Sequence, residues 1–143
     1  MKKKCSPNRQ KSWMIMAFRD HRKKRTPLVR FFRSFYYAFR GIWRTFLNER
    51  NFRFHTVAAI IVVICGFWFH IHPVEWMIIL LLCGGMFALE LVNTAIEHTV
   101  DLFTEEKHPL AERAKDAAAG AVCVYAAISV MIGLIIFLPK IMQ

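Results

Sequence analysis

The chain has 143 residues, 56% of them hydrophobic and 21% charged, with a formal net charge of +10. That bounds it to one small domain. The motifs of soluble nucleotide enzymes and hydrolases are excluded: there is no GxxxxGK[ST] phosphate loop, no GxGxxG turn and no GxSxG elbow.

Charge is unevenly placed, with 16 of the 20 Lys and Arg in residues 1–55. Residues 1–29 are rich in both and contain Pro7 and Pro27, which reads as a flexible basic tail. Anionic lipid head groups are its expected partner, and nucleic acid is not, because apolar spans follow so soon. The early apolar run Trp13–Phe18 is too short for a signal peptide. In the next segment, 30–53, Phe32, Phe35, Phe39, Trp43 and Phe46 recur at helical spacing. Arg33, Arg40 and Arg44 cluster opposite, within about 40° at 100° per residue. This predicts an amphipathic helix lying in the membrane interface, either as a plain anchor or as part of a site. Asn48-Glu49-Arg50 then sets a carboxylate directly before the first apolar stretch.

Three uncharged stretches follow: Phe54–Val74, Trp76–Leu89 and Ala117–Pro139. The first and third are long enough for a hydrocarbon core of about 30 Å. The second reaches that length only with its polar end, to Val100. Expected spans are therefore about 54–73, 76–100 and 116–139, within a membrane domain of residues 30–143. An outer loop, His70–Glu75, contains Pro73, and an inner polar loop covers Asp101–Asp116. The basic N-terminus belongs in the cytoplasm. This predicts a multi-pass plasma-membrane protein with both the acid-bearing end of span two and the start of span three at the inner face. The small run Ala117–Ala121, and Gly84 with Gly85, predict close helix packing. Cys5, Cys65, Cys83 and Cys123 have no metal-ligand spacing and read as reduced packing residues.

The informative feature is in span two. Glu90, Asn93, Glu97 and Asp101 fall within an arc of roughly 80° on one helix. A carboxylate at membrane depth costs about 2.5–3.5 kcal/mol on insertion scales and calls for a partner. With Glu49, Lys115 and Asp116 the group gathers at the cytoplasmic membrane edge. Interface salt bridges are one reading. The other is a divalent cation, since carboxylates at one depth repel unless one joins them. Magnesium takes one or two carboxylates together with phosphate oxygens. That points to phosphoryl transfer from a nucleotide, with a lipid alcohol as the acceptor able to reach such a site. A single Glu-x-x-His, Glu105 to His108, falls short of a di-iron pattern.

The blocks NERNFR (48–53), ELVNTAIEHTVDL (90–102) and HPLAERAKDAAAGAV (108–122) resemble the prokaryotic diacylglycerol kinase family, small integral-membrane lipid kinases. The likeness spans about residues 30–138, and its flavour is that of the Gram-positive undecaprenol kinase branch. It implies an all-α protomer with three transmembrane helices and an N-terminal surface helix, assembled as a homotrimer with shared active sites. It implies ATP and Mg²⁺. By the same resemblance Glu90 is the base toward the lipid hydroxyl with Asn93 beside it, and Glu49 and Glu97 are the metal carboxylates. Arg30, Tyr37, Glu49, Glu97, Glu106, Lys107, His108, Lys115 and Asp116 bind the nucleotide. Ser34, Trp43, Phe46, Arg53 and Glu90 meet the lipid. Ala38 and Ala119 stand where some members carry serine, Lys107 replaces a common loop tyrosine, and His55 replaces an acid. The expected activity is phosphorylation of undecaprenol. The alternatives are diacylglycerol as acceptor, a small ion-coupled transporter, and a basic membrane-anchored binding protein.

Overall fold

The computed structural model describes residues 27–103 and 108–142, all helical but for short connections. Four helices follow in order: α1 (Pro27–Asn48), α2 (Arg50–Trp68), α3 (Pro73–Phe103) and α4 (Pro109–Ile141). The expected all-α architecture is observed. α2, α3 and α4 are each long and apolar enough to cross a membrane. The basic segment 1–26 and the residues Glu106 and Lys107 lie outside the described residues.

The chain divides after Arg40 into two compact units. In the first, α1 opens at Pro27, whose fixed φ and missing N–H suit a first helical position. Phe31, Phe32, Phe35 and Phe39 are all exposed, as an interfacial helix requires. Arg33 Nη2 donates to Tyr37 Oη at 2.7 Å, and the guanidinium lies 5.5 Å from the centre of the same ring.

In the second unit the helix breaks at Glu49, which is extended (φ −94°, ψ 120°) and heads α2. α2 ends in a Schellman turn: His70 N–H reaches Phe67 O at 3.3 Å and Ile71 N–H reaches Gly66 O at 3.2 Å. His70 takes the left-handed position (φ 48°) that glycine usually fills. Gly66 is required nearby, because a Cβ there would sit 2.8 Å from the Trp76 ring.

Both loops are shorter than expected. Pro73 opens α3 instead of prolonging the outer loop, and Glu75 accepts the His72 N–H at 2.6 Å while pairing with Lys140 at 3.1 Å. At the other end α3 continues to Phe103, and α4 starts at Pro109 behind an N-cap, His108.

α3 is the central element and packs against both α2 and α4. Its buried residues, Ile79, Met86, Glu90, Asn93 and Thr94, form one helical stripe. Ile79, Ile71 and Ile136 make a small core near the α2–α3 turn. Most other large apolar side chains, among them Ile60, Ile64, Leu80, Leu81, Val130 and Ile135, are exposed on this chain. That is the pattern of helices solvated by lipid or by further protein.

Close packing of α3 on α4 uses Gly85. Tyr125 lies over it so tightly that a Cβ would collide with the phenol, whose hydroxyl donates to Leu81 O at 3.0 Å. Gly84 and Gly120 face open space, and most of the Ala117–Ala121 run is exposed, so those small residues do not form the helix contact expected of them within this chain. Gly85→Ala should displace Tyr125 and cost about 1–3 kcal/mol through overpacking. The expected result is a lower thermal midpoint in detergent, with Gly84→Ala unchanged as control.

Candidate active site

The α3 stripe begins apolar and turns polar without changing face. Ile79 and Met86 are followed by Glu90, Asn93 and Thr94, so the helix that builds the core also carries a carboxylate into it. Glu90 is only 2% exposed. Its partner comes from α2: His55 Nε2 lies 3.2 Å from Glu90 Oε1, the geometry of a ring N–H donating to a carboxylate. A charge this deep without a partner would be strongly unfavourable, and the imidazole supplies one.

One turn further along α3, Asn93 Nδ2 donates to Glu97 Oε1 at 2.8 Å. This holds the Glu97 carboxylate on the same face. Asn93 Oδ1 is buried and has no hydrogen-bond partner among the described residues. A buried acceptor of this kind calls for a water, an ion or a substrate group.

Glu49 enters from the α1–α2 break. An N-cap carboxylate ordinarily accepts a helix N–H, but Glu49 makes no such bond. Its Oε1 instead lies 3.8 Å from His98 Nε2, on the residue after Glu97. Glu49 and Glu97 are both close enough to Glu90 to act on its charge. Carboxylates from separate elements thus converge, as expected. Among the described residues no group of three or more His, Cys, Asp or Glu is positioned to enclose a metal by itself. Two carboxylates and an orphaned amide oxygen are hard oxygen donors, and they fit a cation that takes most of its ligands from phosphate and water.

Beside this cluster runs an apolar groove of about 370 Å³. The end of α1 contributes Ile42, Trp43 and Phe46, α2 contributes Phe52 and Thr56, and α3 contributes Phe87 and Leu91. Trp43 stacks on Phe46 at 5.9 Å, and Phe52 meets Phe87 at 5.3 Å. Phe87 and Leu91 flank Glu90 on α3, so the groove opens within one helical turn of the buried carboxylate.

The prokaryotic diacylglycerol kinase family matches residues 36–137. The chain belongs to that family. It is 64% identical to the undecaprenol kinase of Bacillus subtilis over 125 residues, 87% of this chain and 99% of that protein. It is 37% identical to the diacylglycerol kinase of Synechocystis over 111 residues, 77% of this chain and 63% of that one. The diacylglycerol kinase of Escherichia coli K12 is 27% identical over 106 residues, 74% of this chain and 87% of the relative.

The structure brings Glu49, Glu90, Asn93 and Glu97 together and sets Trp43 and Phe46 in the groove. Arg53 is exposed on α2 and is not part of the groove wall. Lys115 at the start of α4 pairs with Asp101 at the end of α3, and Asp116 is exposed. His108 Nδ1 accepts the Leu110 N–H at 3.3 Å, so its ring caps α4. In the first unit Arg30, Ser34 and Tyr37 are exposed, Ser34 Oγ donating to Arg30 O at 3.2 Å.

Sequence reasoning noted His55 only as a departure from the family pattern, and missed Ile42, Phe52, Thr56, Phe87 and Leu91. The available signal was spacing: Phe52/Thr56 and Phe87/Leu91 are i, i+4 pairs bracketing His55 and Glu90. Removing the imidazole should leave Glu90 buried and unpaired. His55→Ala is expected to lower kcat roughly ten-fold while KM for ATP stays within about two-fold, the loss of one charge-assisted hydrogen bond. Steady-state kinetics in detergent micelles checks this.

Proposed function

We propose that this protein transfers the γ-phosphoryl group of ATP to undecaprenol, at the cytoplasmic face of the plasma membrane. The observation that carries the reading is a buried carboxylate, Glu90, beside an apolar groove, with Glu49 and Glu97 gathered close to it. The name of the Bacillus relative, which aligns with this chain over nearly its whole length, favours undecaprenol as acceptor. Other relatives are named diacylglycerol kinases, so diacylglycerol is the competing acceptor. Membership of a lipid kinase family weighs against a transporter or a mere binding protein.

In this mechanism the lipid chain lies in the groove and presents its hydroxyl to Glu90. The carboxylate takes the hydroxyl proton as the oxygen attacks the γ-phosphorus. The new oxygen–phosphorus bond forms as the bond to the bridging β,γ-oxygen breaks, and ADP leaves. His55 holds the Glu90 carboxylate in one orientation, so no reorganisation is needed as the proton moves. Asn93 fixes Glu97 in the same way. Glu49 and Glu97 are the side chains that would hold Mg²⁺, which when bound offsets triphosphate charge and favours transfer. Lys115 and Asp116 are assigned to the phosphates and ribose. Arg30 and Tyr37, with Glu106, Lys107 and His108 of the α3–α4 loop, are assigned to the remainder of the nucleotide. Ser34 and Arg53 are assigned to the lipid, outside the wall that flanks Glu90. Arg33, Arg40 and Arg44 on α1 would rest on anionic head groups. A homotrimer with sites shared between protomers would cover part of the exposed apolar surface of α2–α4.

Glu90→Gln should reduce kcat by at least 10²-fold, the scale of a lost general base, and leave nucleotide affinity nearly unchanged. Turnover close to wild type would remove the base assignment. Glu97→Gln should instead weaken Mg·ATP binding, measured by fluorescent-nucleotide titration, and a variant with undiminished affinity would remove the metal assignment. Phosphate transfer from labelled ATP into undecaprenol and diacylglycerol, offered separately and in competition, tests the acceptor.

A further inference from the structure

The groove beside Glu90 offers almost nothing to a polar group. Its wall presents essentially no polar surface. Of the lining residues, Thr56 and Trp43 carry hydrogen-bonding side chains. The Thr56 hydroxyl turns back to donate to Phe52 O at 2.8 Å, and Trp43 offers ring carbon and not its N–H to this wall. The remaining wall near Glu90 is Phe52, Phe87 and Leu91. Whatever part of the substrate lies next to the reacting hydroxyl must therefore be hydrocarbon.

We infer that this donor-free wall is the specificity device of the enzyme: it accepts an isoprenoid alcohol and rejects a glycerol ester by leaving the ester carbonyls without partners. The inference rests on the assignment of Glu90 as the base. In a 1,2-diacylglycerol one ester stands on the carbon next to the one bearing the hydroxyl, and the second on the carbon beyond it. With the hydroxyl at Glu90, at least one carbonyl is drawn into the stretch lined by Phe87 and Leu91, within about 5 Å along α3. It exchanges water for a wall with no donor, and a buried acceptor left unpaired lowers kcat/KM roughly ten-fold. A polyprenol carries only methylene, methyl and alkene groups behind its hydroxyl and loses nothing on entering. Its double bonds meet the aromatic faces of Phe52 and Phe87. Discrimination arises by exclusion of the wrong head group and needs no contact unique to the right one.

The test begins on the lipid side, with unaltered protein in detergent micelles supplied with Mg·ATP. Three alcohols of matched chain length are compared: a polyprenol, a diacylglycerol, and the dialkylglycerol in which ether methylenes replace both carbonyls. The expected order of kcat/KM is polyprenol, then dialkylglycerol, then diacylglycerol, with the ether about ten-fold better than the ester. Equal rates for ether and ester overturn the inference and leave the kinase assignment intact. Phosphorylation of none of the three overturns the kinase assignment itself, and this inference with it. On the protein side, Leu91→Asn and Phe87→Tyr each place a donor in the wall. Either should raise the diacylglycerol-to-polyprenol ratio several-fold, and an unchanged ratio in both, in protein that remains folded by thermal melt, overturns the inference independently.

Discussion

Glu90 stands where a carboxylate is hardest to keep, on the inward stripe of an apolar helix, with 2% of its surface exposed. Insertion scales put the cost of an acid at membrane depth at about 2.5–3.5 kcal/mol. The surrounding structure can be understood as the means of tolerating that group. His55 reaches it from α2, and Asn93 and Thr94 extend the polar stripe behind it. The His55 contact orients the carboxylate in surroundings of low dielectric.

The neighbouring carboxylates are handled differently. Glu49 occupies the one extended residue between α1 and α2, and this break turns a cap position into a side chain that reaches His98 on α3, beside Glu97. Glu97 is steadied by Asn93, which keeps one buried oxygen unsatisfied. Two acids and an orphaned acceptor around a third acid are electrostatically incomplete. A magnesium-bound triphosphate is the kind of ligand that completes such an arrangement. Lys115 pairs with Asp101, at the far end of the acid stripe from Glu90.

The other half of the site is apolar for an equally physical reason. On the proposed reading a lipid brings its hydroxyl to Glu90 without a change of solvent, and the groove flanking that residue is lined mainly by aromatic and aliphatic side chains. The distant end of the helical body is rich in structural contacts. There the Schellman turn at His70, the Glu75–Lys140 pair and the Ile71–Ile79–Ile136 core tie the helices together, opposite to where the chemistry is placed. Gly85 under Tyr125 locks α3 to α4 between the two ends.

Much of this was legible in one dimension. Hydropathy alone marks three spans, because a membrane helix needs a long run free of charge. The 3.6-residue repeat alone puts Glu90, Asn93 and Glu97 on one face, and the blocks around them carry the family. The loops were harder to read: Pro73 and Pro109 look like breaks in sequence, yet each begins a helix, since proline is compatible with a first turn and the chain geometry decides which side it serves. What the sequence could not decide is which side chains meet across helices. The pairing of His55 with Glu90, of Glu49 with His98, and of Tyr125 with Gly85 depends on rotation and register between helices. Those are set by the summed packing of apolar surfaces, and no local pattern encodes them. The groove wall follows the same rule, since four of its seven residues come from α2 and α3 and become neighbours only when those helices pack.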